Sequence, residues 1–150
     1  MSDTYQYCTF FLEEYTFGIE VHKIQEVIRF QDMTPVPLAP GMVRGLINLR
    51  GQIVTAIDLR TRFGMQPRDD GHLPMNVIVR TSDGAVSLLV DEIGDVVEVD
   101  PELYERPPET LEGVARELVT GVFKLKGRLL LVLDVDAATS VAAHLQEFQV

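Results

Sequence analysis

A stretch of 17 residues that occurs twice constrains the fold of this chain more than any other feature. The first copy reads VRGLINLRGQIVTAIDL over residues 43–59, and the second reads VTGVFKLKGRLLLVLDV over residues 119–135, 76 positions later and without a gap. A shared β-strand composition would match apolar residues, but it would not also align glycines and an aspartate. The aligned pairs of this kind are Gly45 and Gly121, Gly51 and Gly127, and Asp58 and Asp134. The chain is therefore predicted to contain an internal structural repeat.

Each copy is predicted to form a β-hairpin. In the first copy two apolar runs flank Arg50-Gly51, and short apolar runs around a glycine-containing turn are typical of hairpins. Gly51 suits this turn because a tight turn places a residue at positive φ, where a side chain is unfavourable. Asp58 ends the second strand, and its carboxylate is expected to cap a short helical turn over residues 59–63.

The segments before the two hairpins repeat as well. Their alternating, β-favouring composition predicts strands over residues 5–12 and 15–21, and again over 75–81 and 85–90. A short apolar segment follows each pair of strands, and its residues leave open whether it forms a third strand or one helical turn. The segments are Ile24, Val27 and Ile28 in the first half, and Ile93, Val96 and Val97 in the second, 69 positions later.

A proline-containing crossing leads from each apolar segment into the hairpin, because proline fixes φ and cannot donate to a β-ladder. The first crossing spans residues 29–42, and the second spans residues 98–118 with about seven more residues. A short helix is expected within the second crossing, over residues 109–118. Residues 66–74, which hold two prolines, a glycine and adjacent acids, form the clearest boundary in the chain.

The repeat predicts a mainly β protein made of two small lobes of about five strands each. Five short strands with exposed edges are unstable as a flat sheet, so each lobe is expected to curl into a small barrel. The predicted lobes span residues 15–68 and 74–136, and strand 5–12 is open to sharing between them. An alanine-rich segment over residues 137–148 is predicted to form a C-terminal helix, with Asp136 as its N-cap.

The charge of the chain excludes some classes of partner. A net charge of −10 argues against nucleic acid or anionic lipid as a partner bound through a general positive field. The charge is also uneven, since residues 40–68 hold five arginines and one acid, whereas residues 83–117 hold eleven acids and two arginines. This asymmetry suggests oriented contacts with other proteins, although ordinary solvated surface charge explains any single residue.

Several sequence features bear on location and redox state. Cys8 is the single cysteine, so no intramolecular disulfide is expected, which fits a reducing cytoplasm. The N-terminus lacks the basic start and long apolar region of a signal peptide. No apolar run approaches the 18 residues typical of a membrane span. We therefore expect a cytoplasmic protein with no direct membrane insertion.

The search for catalytic or cofactor chemistry gives little. The glycines are scattered singly, and each of His22, His72 and His144 stands without a second ligand nearby in sequence. Asp58 and Asp134 occupy equivalent places, as the two carboxylates of an aspartic protease do, but they lack the small-residue loops of that chemistry, and helix capping is favoured. We predict no cofactor, no metal and no enzyme, and the best class from the residues is an interaction module.

The sequence VRGLINLRGQIVTAIDLR resembles the chemotaxis coupling (adaptor) protein CheW family. The resemblance extends over residues 5–145 and includes the segments FGIEVHKIQEVI, TPVPLAPGMVRGLINLRG, LLVDEIGDVVEV and ELVTGVFKLKGRLLLVLDV. It implies two five-stranded SH3-like barrels packed around a hydrophobic seam. The same module forms part of the kinase CheA and of CheV, but this chain has no room for a kinase or receiver domain, so the stand-alone adaptor is expected.

The resemblance also implies partners and site residues. Family members couple methyl-accepting chemoreceptors to the histidine kinase CheA in an array at the membrane, and a single chain is expected to be monomeric when free. The receptor-binding positions implied by the resemblance are Ile24, Glu26, Val27, Arg50 and Val96. The kinase-binding positions implied in the same way are Arg44, Ile53, Glu105 and Arg106.

Alternatives remain at this point. Ile24 and Val27 would serve equally well as plain core residues. The loop over residues 105–110 offers a second kinase contact. It has Thr110 near its end, where the resemblance allows an aromatic residue, so ring closure through this loop stays open. The pathway served is either flagellar chemotaxis or a related one that controls pili or gliding. A small-ligand barrel or enzyme is the alternative of another class, and it predicts a deep polar pocket.

Overall fold

The computed structural model describes residues 5–69 and 71–140. Ten strands and short helices make up the fold, and the predicted mainly β class is confirmed. The strands are β1 Tyr5–Leu12, β2 Tyr15–Glu20, β3 Ile24–Ile28, β4 Val43–Leu49, β5 Gln52–Asp58, β6 Met75–Thr81, β7 Gly84–Val90, β8 Glu92–Val99, β9 Val119–Leu125 and β10 Arg128–Leu133. The helices are α1 Leu59–Arg62 and α2 Gly113–Leu118, and residues 135–140 are also helical.

The strands form two five-stranded sheets with equivalent strand orders. The first sheet has the order β8-β1-β2-β10-β9, and the second has the order β3-β6-β7-β5-β4. Each sheet contains one parallel pair of strands, β2 with β10 in the first and β5 with β7 in the second, and its other pairs are antiparallel. The segments whose structure the sequence left open are the edge strands β3 and β8. Within the described residues, no backbone ladder joins the two edge strands of either sheet.

The two sheets do not coincide with the predicted lobes over residues 15–68 and 74–136. The β1–β2 hairpin of the first half pairs with β8, β10 and β9 of the second half, and the β6–β7 hairpin of the second half pairs with β3, β5 and β4 of the first. The halves thus exchange their N-terminal hairpins, and β2 moves with β1. Both hairpins carry the same apolar pattern, so either arrangement satisfies the local sequence.

The largest core cluster lies between the sheets. It takes Phe10 and Phe17 from the first sheet and Val77 and Leu88 from the second, all of them 0–2% exposed. Each sheet also has a buried cluster of its own. The cluster of the first sheet contains the aromatic residues Tyr7 and Phe123, whereas the clusters of the second sheet are aliphatic. Burying the equivalent of one such side chain contributes about 1.5–3 kcal/mol, so the shared seam holds the two sheets together.

The repeated glycines allow the crossings to approach the edge strands β4 and β9. A Cβ at Gly45 would lie 2.7 Å from the Thr34 carbonyl oxygen, and one at Gly121 would lie 2.1 Å from the ring of Tyr104. Thr34 forms an isolated bridge to Leu46 of β4, as Glu105 does to Val122 of β9. The glycine is therefore repeated because each crossing passes close to the backbone of its edge strand, once in each half of the chain.

The repeated aspartates cap helices, as the sequence predicted for Asp58. The Asp58 carboxylate accepts a hydrogen bond from the Arg60 backbone N–H at the start of α1. Asp134 caps the helical residues 135–140, because its Oδ1 accepts from the Ala137 N–H at 3.1 Å. The prediction of Asp136 as this N-cap was wrong, and the rest of the predicted helix over residues 137–148 lies outside the described residues from position 141 onward.

Candidate protein-interaction surface

The β3 edge strand carries three of the candidate receptor-binding residues. Ile24 pairs with Val79 of β6 and packs against the seam cluster, so part of its side chain belongs to the core. Val27 and Glu26 are half-buried on the same strand. A β-bulge between Ile24 and Glu26 shifts the register, and bulges commonly re-aim side chains at sheet edges.

The turn between β4 and β5 brings Arg50 to this edge. An Arg50 guanidinium nitrogen hydrogen-bonds to Glu26 Oε2, although the two residues are 24 positions apart. The Arg50 side chain is 71% exposed, whereas Glu26 is 22% exposed. The structure therefore joins two of the candidate residues into one ion pair, which is exposed mainly on its arginine side.

Arg50 occupies a backbone conformation that disfavours its side chain. Its φ is 49°, and Gly51 follows with a φ of 88°, which gives two successive left-handed residues as in a type I′ hairpin turn. Glycine or asparagine is the usual occupant of such a position, and another L-residue costs roughly 1–2 kcal/mol there. Unfavourable backbone conformations of this kind cluster at functional sites, which singles out Arg50 as a candidate functional residue.

Val96 lies on the other sheet, on the edge strand β8. It is the repeat counterpart of Val27, and it is 56% exposed. Its Cα partner on β1 is Cys8, which is buried. Four of the five receptor-binding candidates thus occupy the equivalent edge strands β3 and β8, and the fifth, Arg50, reaches β3 from the β4–β5 turn through its contact with Glu26.

The candidate kinase-binding residues fall into two groups at the opposite edges of the sheets. Arg44 and Ile53 are exposed on the β4–β5 hairpin, and Ile53 is 56% exposed. Glu105 and Arg106 are exposed beside β9, where Glu105 exchanges backbone hydrogen bonds with Val122. Because β4 and β9 are equivalent edges of different sheets, these four residues form two surfaces.

Sequence reasoning missed a buried ion cluster that links the two sheets. Arg60 donates to both Asp91 oxygens, at 2.8 and 2.6 Å, and Arg68 donates to both Asp58 oxygens, at 2.9 and 2.8 Å. Arg68 Nε lies 2.8 Å from Asp91 Oδ1, so the four side chains form one network. The Glu13 N–H of the β1–β2 turn also donates to Asp91 at 2.8 Å.

The pKa shifts in this cluster agree with its geometry. Burial by itself would raise the pKa of Asp91, but hydrogen bonds from Arg60 and from the Glu13 N–H, with the charges of Arg68 and Arg60, lower it overall. The hydrogen bond to Asp91 is the largest cause that raises the pKa of Arg60. A sequence signal did exist, because Arg60 aligns with Asp136 and so is a charge reversal within the repeat.

Fully exposed Leu38, on the first crossing, is a second feature that the sequence did not reveal. Its φ is 63°, so an apolar residue lies on the surface in a left-handed conformation.

Among residues 5–69 and 71–140, no three His, Cys, Asp or Glu side chains are placed to hold a metal ion. No helix in these ranges is both long and apolar enough to cross a bilayer.

These features define a small mainly β protein with paired sheets, whose candidate functional residues are surface side chains at the sheet edges. The family model described as CheW-like domain matches residues 6–142, so this chain belongs to the CheW-like domain family.

Individual relatives agree with this membership. The chain is 32% identical over 137 residues to a chemotaxis protein CheW of Treponema pallidum, covering 89% of this chain and 81% of the relative. It is 30% identical over 135 residues to that of Thermotoga maritima, covering 88% and 85%. The crystal structure of scaffolding protein TtCheW from Thermoanaerobacter tengcongensis is similar with a TM-score of 0.79 and 28% identity, covering 87% of this chain and 88% of that one.

Proposed function

We propose that this protein is a non-catalytic scaffold that couples membrane chemoreceptors to the histidine kinase CheA in the cytoplasm. Membership of the CheW-like domain family supports this function, as do the relatives named chemotaxis protein CheW and the solved structure named a scaffolding protein. Surface contacts on rigid sheets are the means by which such a protein would act, because a scaffold needs stable docking faces and no reactive groups.

The observation that carries the proposal is the Glu26–Arg50 pair at the β3 edge. An exposed ion pair contributes only about 0–1 kcal/mol to stability, and Arg50 adopts a left-handed conformation that disfavours it. Stability therefore does not account for an arginine at this turn. Recognition of a partner would account for it, because charges at the rim of an interface set orientation and association rate.

The proposed receptor surface consists of Ile24, Glu26, Val27, Arg50 and Val96. The apolar members would bury against an amphipathic receptor helix, as a helix laid in a groove does. Glu26 would hold the Arg50 guanidinium in position, and the pair would fix the direction of the helix. The contribution of Ile24 would be indirect, since part of its side chain is already in the core.

The proposed kinase surfaces lie on the opposite sheet edges. Arg44 and Ile53 would form one contact with the CheW-like domain of CheA, because Ile53 is a large apolar side chain left 56% exposed beside a cation. Glu105 and Arg106 would form the other, at the equivalent edge of the first sheet. Two separate surfaces would let one scaffold contact two kinase molecules.

Co-sedimentation with receptor fragments and a CheA-type kinase, followed by a kinase assay, tests the proposal. We expect a ternary complex and stimulated autophosphorylation with the unchanged chain. Arg50→Glu should lower receptor recovery about tenfold or more, because it places two carboxylates together at the docking edge. Circular dichroism should show the fold unchanged.

Lys126→Glu is the matched control, since Lys126 occupies the same place in the second hairpin turn. It makes the same charge change and should leave receptor recovery within about twofold. Ile53→Glu should reduce kinase recovery and leave receptor binding intact. Equal loss of receptor in Arg50→Glu and Lys126→Glu, or no complex with the unchanged chain, would reject the proposed function.

A further inference from the structure

An open pocket of about 320 Å³ at one end of the first sheet is walled by aromatic rings. Tyr5 and Tyr7 reach it from β1, Phe123 from β9 and Tyr104 from the second crossing. Among the described residues, Glu20 at the end of β2 is the only charged one on its wall, and a proline, a threonine and a valine complete the lining. None of these residues belongs to the surfaces proposed above.

Packing fixes the deep rings of this pocket. Tyr7 and Phe123 are 3% and 2% exposed, with ring centroids 5.5 Å apart. Tyr104 meets Phe123 edge-on at 5.4 Å and lies over Gly121, which leaves space for its ring. Tyr5 and Tyr104 are about half exposed. Two rings are therefore preorganised in the interior, and two more flank the mouth.

The electrostatics of the pocket favour a positive ligand. Glu20 supplies a carboxylate at the wall. Its Oε2 also lies 3.2 Å from Nε2 of His22, whose side chain is 74% exposed and does not line the pocket. Burial raises the pKa of Tyr7 to about 12, and the charge of Glu20 contributes. The Tyr7 hydroxyl is therefore neutral at physiological pH and adds no charge to that of Glu20. Among the described residues that line the pocket, no lysine or arginine balances the carboxylate.

Aromatic faces joined to a carboxylate match one ligand chemistry. The π-faces of tyrosine and phenylalanine carry negative potential and attract cations, most strongly where water is excluded, and cages of such rings recognise quaternary ammonium groups. Among the described lining residues an anion would find hydroxyl groups but no cationic side chain, and Glu20 would repel it. We infer that this pocket binds a small organic cation with a quaternary ammonium head, held at the mouth by Tyr5 and Tyr104, above the buried rings of Tyr7 and Phe123, and neutralised by Glu20.

Intrinsic fluorescence offers a selective test. The chain has no tryptophan and four tyrosines, and three of the four line this pocket. Choline should quench or shift the tyrosine emission saturably, whereas 3,3-dimethylbutan-1-ol, its neutral isostere, should bind at least about fivefold more weakly. Equal responses to both would show a merely apolar pocket, and no saturable response to choline would also overturn the inference.

Variants of the pocket locate the binding site. Glu20→Gln and Tyr104→Leu should each weaken choline binding about fivefold or more. Binding to these variants is measured by NMR chemical shifts, because the loss of a tyrosine would change the fluorescence signal. Tyr15→Leu is the matched control, because Tyr15 is the fourth tyrosine and lies outside the pocket. It should leave choline affinity within about twofold.

The remaining outcomes are equally decisive. An equal loss in Tyr15→Leu and Tyr104→Leu would place the choline elsewhere on the molecule and reject the site. Methylguanidinium binding more tightly than choline would reject the ammonium head as the preferred ligand. The inference does not rest on the proposed scaffold function, because every measurement uses the protein alone.

Discussion

The two sheets share a strand order and a repeated hairpin, yet they differ in three places. Asp58 of the second sheet caps a helix and also belongs to the ion cluster with Arg68, Arg60 and Asp91, whereas Asp134 caps a helix and has no ion pair among the described residues. The first sheet has an aromatic buried face and the second an aliphatic one. The turn at Arg50 is left-handed at both central residues, whereas in the other turn only Gly127 has a positive φ.

These differences show which repeated positions maintain the fold and which have diverged. The glycines beside the crossings and the capping aspartates do the same structural work in both sheets. Several of the positions that changed carry charge or aromatic rings, and some of these are the positions that we propose to bind partners and ligands. Divergence within the repeat therefore points to function more directly than the repeat itself does.

The largest difference between the sheets should appear in Asp91→Ala. Removing this carboxylate leaves Arg60 and Arg68 buried without a full set of partners, and breaking a buried ion pair costs about 3–5 kcal/mol. Asp134→Ala removes a helix cap alone and should cost about 0.5–2 kcal/mol. Urea unfolding measures both free energies, and equal losses would show that the ion cluster adds nothing beyond a cap.

Alkaline pH should destabilise the first sheet through Tyr7. The folded pKa of about 12 exceeds the ordinary value of 10.0, so the stability present below pH 10 is lost as pH rises through 12. The loss amounts to about 2–3 kcal/mol at 1.36 kcal/mol per pKa unit. Tyr7→Phe should flatten the decline between pH 10 and 12 in denaturant titrations. A decline of the same slope in this variant would contradict the assignment to Tyr7.

The smallest effect should distinguish the two turns. Arg50→Gly relieves a left-handed side-chain conformation and should stabilise the protein by about 1 kcal/mol. Lys126→Gly is the matched change at a residue whose φ is not positive, and it should destabilise the protein by about 0.5–1 kcal/mol. Thermal melting of both variants measures the difference. Destabilisation by Arg50→Gly would remove the argument that Arg50 is retained for recognition.

The sequence by itself determined the local elements of this protein. The hairpins, the positive φ at Gly51, the Asp58 cap and most strand limits follow from periodicity, turn chemistry and capping, which act over a few residues. Arg50 and Glu26 were named from the family resemblance, and the structure joined them into an ion pair. The short segment at Ile24 remained ambiguous because five residues are too few to separate two periods.

Only the tertiary structure decided which elements meet. Both N-terminal hairpins present the same alternating apolar face, so nothing local distinguishes pairing within a half from the exchange that is observed. Asp91 joins Arg60 across 31 positions, and Tyr7, Tyr104 and Phe123 converge from three distant segments. Burial of apolar surface is non-directional, so it does not by itself specify which strands pair. These contacts form only when strand pairing and packing of the seam together set the positions of both sheets.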